Sequence, residues 1–323
     1  MPLARKRQIS LIDTPYYHCV SRCVRRAFLC GEDKVTGQSF EHRRQWVEDR
    51  LLFLSTVFAI EVCAFAVMSN HTHIVMHVNQ EAVKAWTDKD VAVRWHKLHK
   101  GTLLTQSFTQ HDTDALNESE WVTLQSTLAI YRERLFDISW FMRELNEPIA
   151  RQANLEDECT GHFWEGRFKS QALLDEHAIA ACMVYVDLNP IRAKLAKTPE
   201  TSAHTSIKRR LHDLENGYQP KTLMPFVGNP KQHQPHGLSF ELMDYIQLVE
   251  LSGRQLDPKK RGGIDISESA IIQRLGIDEG NWQSLSQAFE TTFSVAAGET
   301  EALQRFKKNT GRKRMLHKTK QAA

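Results

Sequence analysis

A chain of 323 residues with 41% apolar and 25% charged residues has the composition of an ordinary folded protein, and its length suits one domain plus an appendage. This excludes a disordered or fibrous chain. The longest apolar stretches, such as VCAFAVM (62–68), fall far short of the roughly 20 residues of a membrane span, and MPLARKRQIS lacks the apolar core of a signal peptide, so the expectation is a cytoplasmic protein with no membrane partner.

The formal net charge of +3 is small, but the positive charge is clustered. Arg5, Lys6 and Arg7 open the chain, Arg22, Arg25 and Arg26 follow YYHCVS, and Lys208, Arg209 and Arg210 stand in a row later. KKR follows at 259–261. From Arg305 onward the tail carries eight Lys or Arg and no acid, a composition that suits either an arm on nucleic acid or a solubilising terminus. The cysteines, Cys19, Cys23, Cys30, Cys63, Cys159 and Cys182, form no CxxC pair and read as buried free thiols.

In chain order, PYYHCVSRCV (15–24) alternates as a strand does. The span 41–59 repeats Trp46, Leu51, Leu52, Leu54 and Val57 at helical spacing. IEVCAFAVM and HTHIVMHV then predict two strands broken at Ser69-Asn70. Residues 80–157 read as a helical insertion, with candidate helices in DVAVRWHKLHK, ESEWVTLQSTLAIYRERLF and ISWFMRELNEPIARQAN, and TQHDTDALN as a loop. An aromatic, basic turn, GHFWEGRFKSQ, precedes the helix EHAIAACMVYVDLN, which Pro190 should stop. A first unit therefore spans 1–205. Connecting sequence rich in Pro, Ser and Asn marks a linker at 206–238, a helical accessory domain follows at 239–300, with Gly253 as the expected cap of its first helix, and the basic tail is 301–323. The two predicted helices joined at Gly276 are read as plain packing rather than a DNA-reading helix-turn-helix.

In a strand over 71–78, His71, His73, Val75 and His77 share one face, and Thr72, Ile74, Met76 and Val78 the other, which is expected to be the core face. Two imidazoles at i and i+2 on the more open face are placed to hold one cation, or are simply surface histidines. On the later helix, Ala178, Cys182, Tyr185 and Asn189 form one face. That spacing sets a phenol one turn before an amide: either a nucleophile beside a metal ligand, or an edge-of-core aromatic and a helix-end cap. The turn's Phe163, Trp164 and Phe168 among His162, Arg167 and Lys169 mix stacking surfaces with phosphate contacts, as single-stranded DNA binding does, unless one aromatic face belongs to the core. Arg22, Arg25 and Arg26 are either further phosphate contacts or solvated loop residues.

MSNHTHIVM, GHFWEGRFKSQ and YVDLNPIRAKL, in that order over residues 10–205, resemble the motifs of the single-tyrosine HUH transposases, in particular the REP-associated tyrosine transposases of bacteria. The resemblance implies an α+β, ferredoxin-like core with an antiparallel sheet. It implies that His71, His73 and Asn189 bind a divalent metal, magnesium or manganese, and that Tyr185 is the nucleophile. It also implies cleavage of single-stranded DNA next to a hairpin through a 5′-phosphotyrosine link, in proteins that are either monomers or homodimers. Neutral imidazoles suit zinc better than magnesium, so zinc stays open. No nucleotide cofactor is expected, because no phosphate-cradling glycine loop is present. Thr72 stands where the family has a bulky hydrophobe, and as a β-branched residue it should keep the strand. Two alternatives remain: a hairpin-binding protein that does not cut, and a hydrolytic metalloenzyme built on His71, His73 and His77.

Overall fold

The computed structural model describes residues 8–24, 29–32, 37–110, 116–228, 236–255, 282, 289, 293 and 295–312. Arg5, Lys6, Arg7, Arg25 and Arg26, the basic group at 259–261, nearly all of the two predicted helices that flank Gly276, and the tail from 313 onward lie outside the described residues.

Strand β1 (Tyr16–Arg22) is followed by helix α1 (Arg43–Val57) and then by β2 (Ile60–Val67) and β3 (His71–Val78). The tight β2–β3 turn falls at the expected Ser69-Asn70. Among the described residues of the insertion there are five helices: α2 (Gln80–Ala85), α3 (Asp88–His96), α4 (Leu103–Gln110), α5 (Glu118–Arg134) and α6 (Ile138–Glu156). Reciprocal Thr87–Asp90 and Asn117–Glu120 capping boxes start α3 and α5, satisfying backbone N–H groups that a helix end leaves open. Strand β4 (Lys169–Leu173) and helices α7 (Glu176–Asp187), α8 (Asn189–Arg192), α9 (Ser206–Glu215) and α10 (Leu242–Gln255) come next. The short β5 (Ala296–Ala297) and α11 (Thr300–Asn309) close the described chain.

The sheet order is β2-β3-β1-β4-β5, antiparallel except for the parallel β4–β5 pair. With β1 and β3 central and α1 crossing from β1 to β2, this is the expected mixed α+β, ferredoxin-like arrangement, consistent with an HUH fold. Its two faces bury two cores. Ile74, Met76 and Val78 of β3 face α1 and α6, and the buried Arg43 of α1 binds Glu156 at 2.6 Å, tying it to the end of α6. Val75 of β3 faces α7, every residue of which is buried from Ala178 to Asp187.

The second face is therefore covered, not open as the alternation in 71–78 suggested. A helix as apolar as α7 must be buried on several sides. It lies between the sheet and α10, whose Tyr245, Leu248 and Val249 are in the same core. The expected accessory segment thus shares a core with the first unit and adds β5 to its sheet.

Several local expectations change. Helix α7 ends before Pro190, at Leu188, and the proline sits in the first turn of α8, where its missing N–H costs nothing. Gly253 lies inside α10, and a Cβ there would come within 3.2 Å of the Leu188 side chain, so close helix packing explains the glycine. The stretch taken as a linker contains α9, with Arg210 fully buried and donating to the carbonyls of Cys63 and Met224, while Arg209 pairs with Glu48 at 2.8 Å. These two arginines are engaged within the fold and do not form an open basic patch. The tail begins as α11, whose Leu303 and Phe306 are buried. Cys159 is exposed, and the other five cysteines are buried free thiols. Among the described residues no helix is long and apolar enough to cross a membrane.

Candidate active site

Strand pairing builds the site. On the face toward α7, β3 presents His71, His73, Val75 and His77, and β1 presents Tyr16, His18, Val20 and Arg22, with His73 opposite Val20 and His18 opposite Val75. On β2 the residue opposite His73 is Ala66, which leaves room above the imidazole. Helix α7 brings Tyr185 over this surface, its ring centroid 5.8 Å from that of His73. One turn later Asn189, at the start of α8, places Nδ2 3.0 Å from His73 Nε2. His71 and His73 have ring centroids 4.7 Å apart. The four residues singled out in sequence thus occupy one place.

The hydrogen bonds run in one direction. Gln171 Nε2 donates to the Phe293 carbonyl, so its Oε1 accepts from His18 Nδ1 at 3.2 Å. His18 Nε2 then carries the lone pair and accepts from His73 Nδ1 at 3.0 Å. That leaves the His73 Nε2 lone pair facing Asn189. His71 Nδ1 donates to Asn70 Oδ1 at 2.6 Å, which leaves its lone pair on Nε2 as well. His18 thus fixes the tautomer and angle of His73, a task the sequence reading did not assign to it.

Burial, with Arg22 and His18 nearby, pushes His71 down to about 4, and burial with His18, His71, Arg22 and Arg192 around it holds His73 well below the usual histidine range. Both imidazoles are neutral at pH 7, the form that ligates metal. Two neutral imidazoles with lone pairs on Nε2, beside an amide whose oxygen can be turned toward them, are a donor set that fits a divalent metal. Arg192 lies over the Tyr185 ring at 4.5 Å, and Phe289 packs on the same ring with centroids 6.0 Å apart.

Beside His18 a cleft of about 370 Å³ runs along β1 and β4, lined by Arg22, Arg167 and Lys169 and also by the acid Glu165. The backbone holds the aromatic turn against the end of β1, with Val24 N donating to Phe163 O and Glu165 N to Arg22 O. Arg22, Arg167 and Lys169 are all exposed there. A neighbouring cleft of about 380 Å³ is lined by Trp164, Phe168 and again Arg167. His162 is exposed outside both clefts. Phe163 is 3% exposed and belongs to the core, so it cannot stack on a base. Neighbouring residues of a strand-like turn point to opposite sides, and Phe163 takes the inward one.

His77 is not part of this site. Four residues along a strand separate it from His73 by roughly 13 Å, and its ring nitrogen bonds Glu61 at 2.8 Å. A single ion on His71, His73 and His77 is excluded by that spacing.

No family model matches the chain, and no curated protein does. Among solved structures, one described as the REP-associated tyrosine transposase bound to a REP hairpin matches over 64% of this chain and 81% of that one, at 12% identity and a TM-score of 0.30. So loose a superposition carries no argument about function.

Proposed function

We propose that the protein is a metal-dependent tyrosine transposase that cleaves and rejoins single-stranded DNA near hairpins. The observation that carries this reading is the meeting of Tyr185 and Asn189 with His71 and His73 in one partly buried cluster beside a basic cleft. A plain hairpin-binding protein has no use for a buried phenol against two neutral imidazoles.

In this reading His71, His73 and Asn189 would hold a divalent metal, which would supply Lewis-acid polarisation of the scissile phosphate. Magnesium and manganese follow from the resemblance, and the imidazoles equally admit zinc. His18 holds His73 in its ligating tautomer. Tyr185 Oη attacks phosphorus, the bond to the deoxyribose 3′ oxygen breaks, the phenol proton passes to water and the 3′ oxygen takes one up. The phosphotyrosine keeps the bond energy for rejoining, so no nucleotide cofactor is required. Arg192 places positive charge where the phosphate must approach Tyr185. Arg22, Arg167 and Lys169 carry the flanking backbone, and Trp164 and Phe168 offer stacking surfaces in the adjoining cleft. The catalytic unit is 1–205, with the 80–157 insertion.

The test is metal dependence of strand cleavage on labelled single-stranded DNA carrying the hairpin repeats that flank the gene. The reading expects cleavage with manganese, none in chelator, and none in folded His71→Ala or His73→Ala. Equal cleavage with and without metal would remove the metal from the mechanism.

A further inference from the structure

A second cluster of metal-ligating side chains lies at the other end of β3. Glu61 of β2 stands directly opposite His77 in the strand ladder, which makes them a cross-strand pair, and His77 Nδ1 lies 2.8 Å from Glu61 Oε2. From a distant part of the chain His236 brings Nε2 to 2.5 Å from the same oxygen. The two imidazole centroids are 5.2 Å apart, and the three ligand atoms all lie within 4.8 Å of one another.

His236 Nε2 has two polar neighbours that make opposite demands on it. Asn79 Oδ1 is committed to the N-terminus of α2, accepting from Ala82 N at 3.0 Å, so Asn79 turns its Nδ2 donor to His236 Nε2 at 3.2 Å. The same nitrogen faces a donor and a carboxylate acceptor. A proton on Nε2 satisfies Glu61 and opposes the Asn79 N–H, whereas a bare lone pair satisfies Asn79 and opposes Glu61. A divalent ion would remove the conflict with Glu61, since the carboxylate and the imidazole lone pairs would then meet one cation, and the Asn79 N–H would turn to solvent.

We infer that Glu61, His77 and His236 form a second divalent-metal site, of zinc-binding chemistry, that clasps the chain at residue 236 to β2 and β3. Two imidazoles and one carboxylate are a ligand set that zinc accepts, with the fourth position left to water, and the nitrogen donors favour it over magnesium. The clasp has mechanical meaning. Immediately after His236, Leu238 and Phe240 enter the core that holds α7, and α10 follows. The ion would therefore fix the entry of this segment onto the sheet. This site is separate from the His71–His73 cluster and does not depend on the function proposed above.

The experiment is zinc binding by the full chain, stripped with chelator and re-equilibrated with zinc alone, with bound metal counted per chain. In the His71→Ala/His73→Ala double variant one zinc per chain should remain. Adding His236→Ala should abolish it, and Glu61→Gln should weaken it by more than the ~10–100-fold that loss of an outer hydrogen-bond partner costs a metal site. His236 is exposed, so its replacement leaves the fold intact. Should the double variant not fold, His236→Ala in the otherwise unchanged chain must lower the zinc count by one and remove the zinc-induced rise in melting temperature. A zinc count indifferent to both His236→Ala and Glu61→Gln would overturn the inference, whatever happens at His71 and His73.

Discussion

Asn189 Nδ2 lies 3.0 Å from His73 Nε2 although 116 residues separate the two in sequence. The contact joins the helix that carries Tyr185 to the strand that carries the paired histidines, so any shift of α7 against β3 is a shift of Tyr185 against His71 and His73.

His18 is the residue whose loss should separate orientation from ligation. Its Nε2 accepts from His73 Nδ1 at 3.0 Å, on the side of the ring away from His73 Nε2. His18→Phe removes the acceptor while keeping a ring of similar size. Affinity for manganese should fall by ~10–100-fold with the fold retained, since outer hydrogen-bond partners of ligating histidines carry effects of that size. Isothermal titration of the folded variant checks this.

The aromatic turn divides into a structural and a binding part. Phe163→Ala should destabilise the protein by ~3–5 kcal/mol in denaturant titration, because the ring is buried in the core beneath β1. Arg167→Ala should leave stability unchanged, since the side chain is exposed in both clefts. It should weaken single-stranded DNA binding and lower the salt slope by about 0.7, the value for one phosphate contact on a single strand.

Thr72 carries a buried hydroxyl with no hydrogen-bond partner among the described residues. A hydroxyl left unsatisfied costs about 1–3 kcal/mol, and Thr72→Val keeps the β-branched shape. The valine variant should unfold at higher denaturant concentration, and its metal affinity should not change, because residue 72 faces away from His71 and His73.

Glu48 of α1 accepts from His204 at 2.7 Å and from Arg209 at 2.8 Å. Burial raises its pKa, but these hydrogen bonds and the nearby positive charge outweigh burial and depress it below the usual carboxylate value. A depressed carboxyl contributes stability that is complete above its unfolded pKa and is lost as pH falls through the folded one. The wild-type protein should therefore lose stability on acidification below the unfolded glutamate range, and Glu48→Gln should flatten that part of the pH profile. Urea midpoints measured across the acid range would reveal it.

Much of this was legible in the chain. The element order, the β2–β3 turn and the alternation of His71, His73 and His77 follow from local periodicity, and helical spacing puts Tyr185 and Asn189 on one face. What escaped depends on register and closure. His18 sits in a visible strand, but only the β1–β3 register sets it diagonal to His73. Glu61 and His236 meet because the chain returns to the sheet edge more than a hundred residues later. Arg210 looked like surface charge, yet it is buried between two carbonyls that only the tertiary fold supplies.

The central claim is that Tyr185 is the nucleophile, and the most direct measurement is a denaturing gel of the protein mixed with manganese and labelled single-stranded hairpin DNA. The account predicts a covalent adduct with the wild-type chain and none with folded Tyr185→Phe or in chelator. An adduct that persists in Tyr185→Phe would contradict it, as would tight hairpin binding with no adduct under any metal.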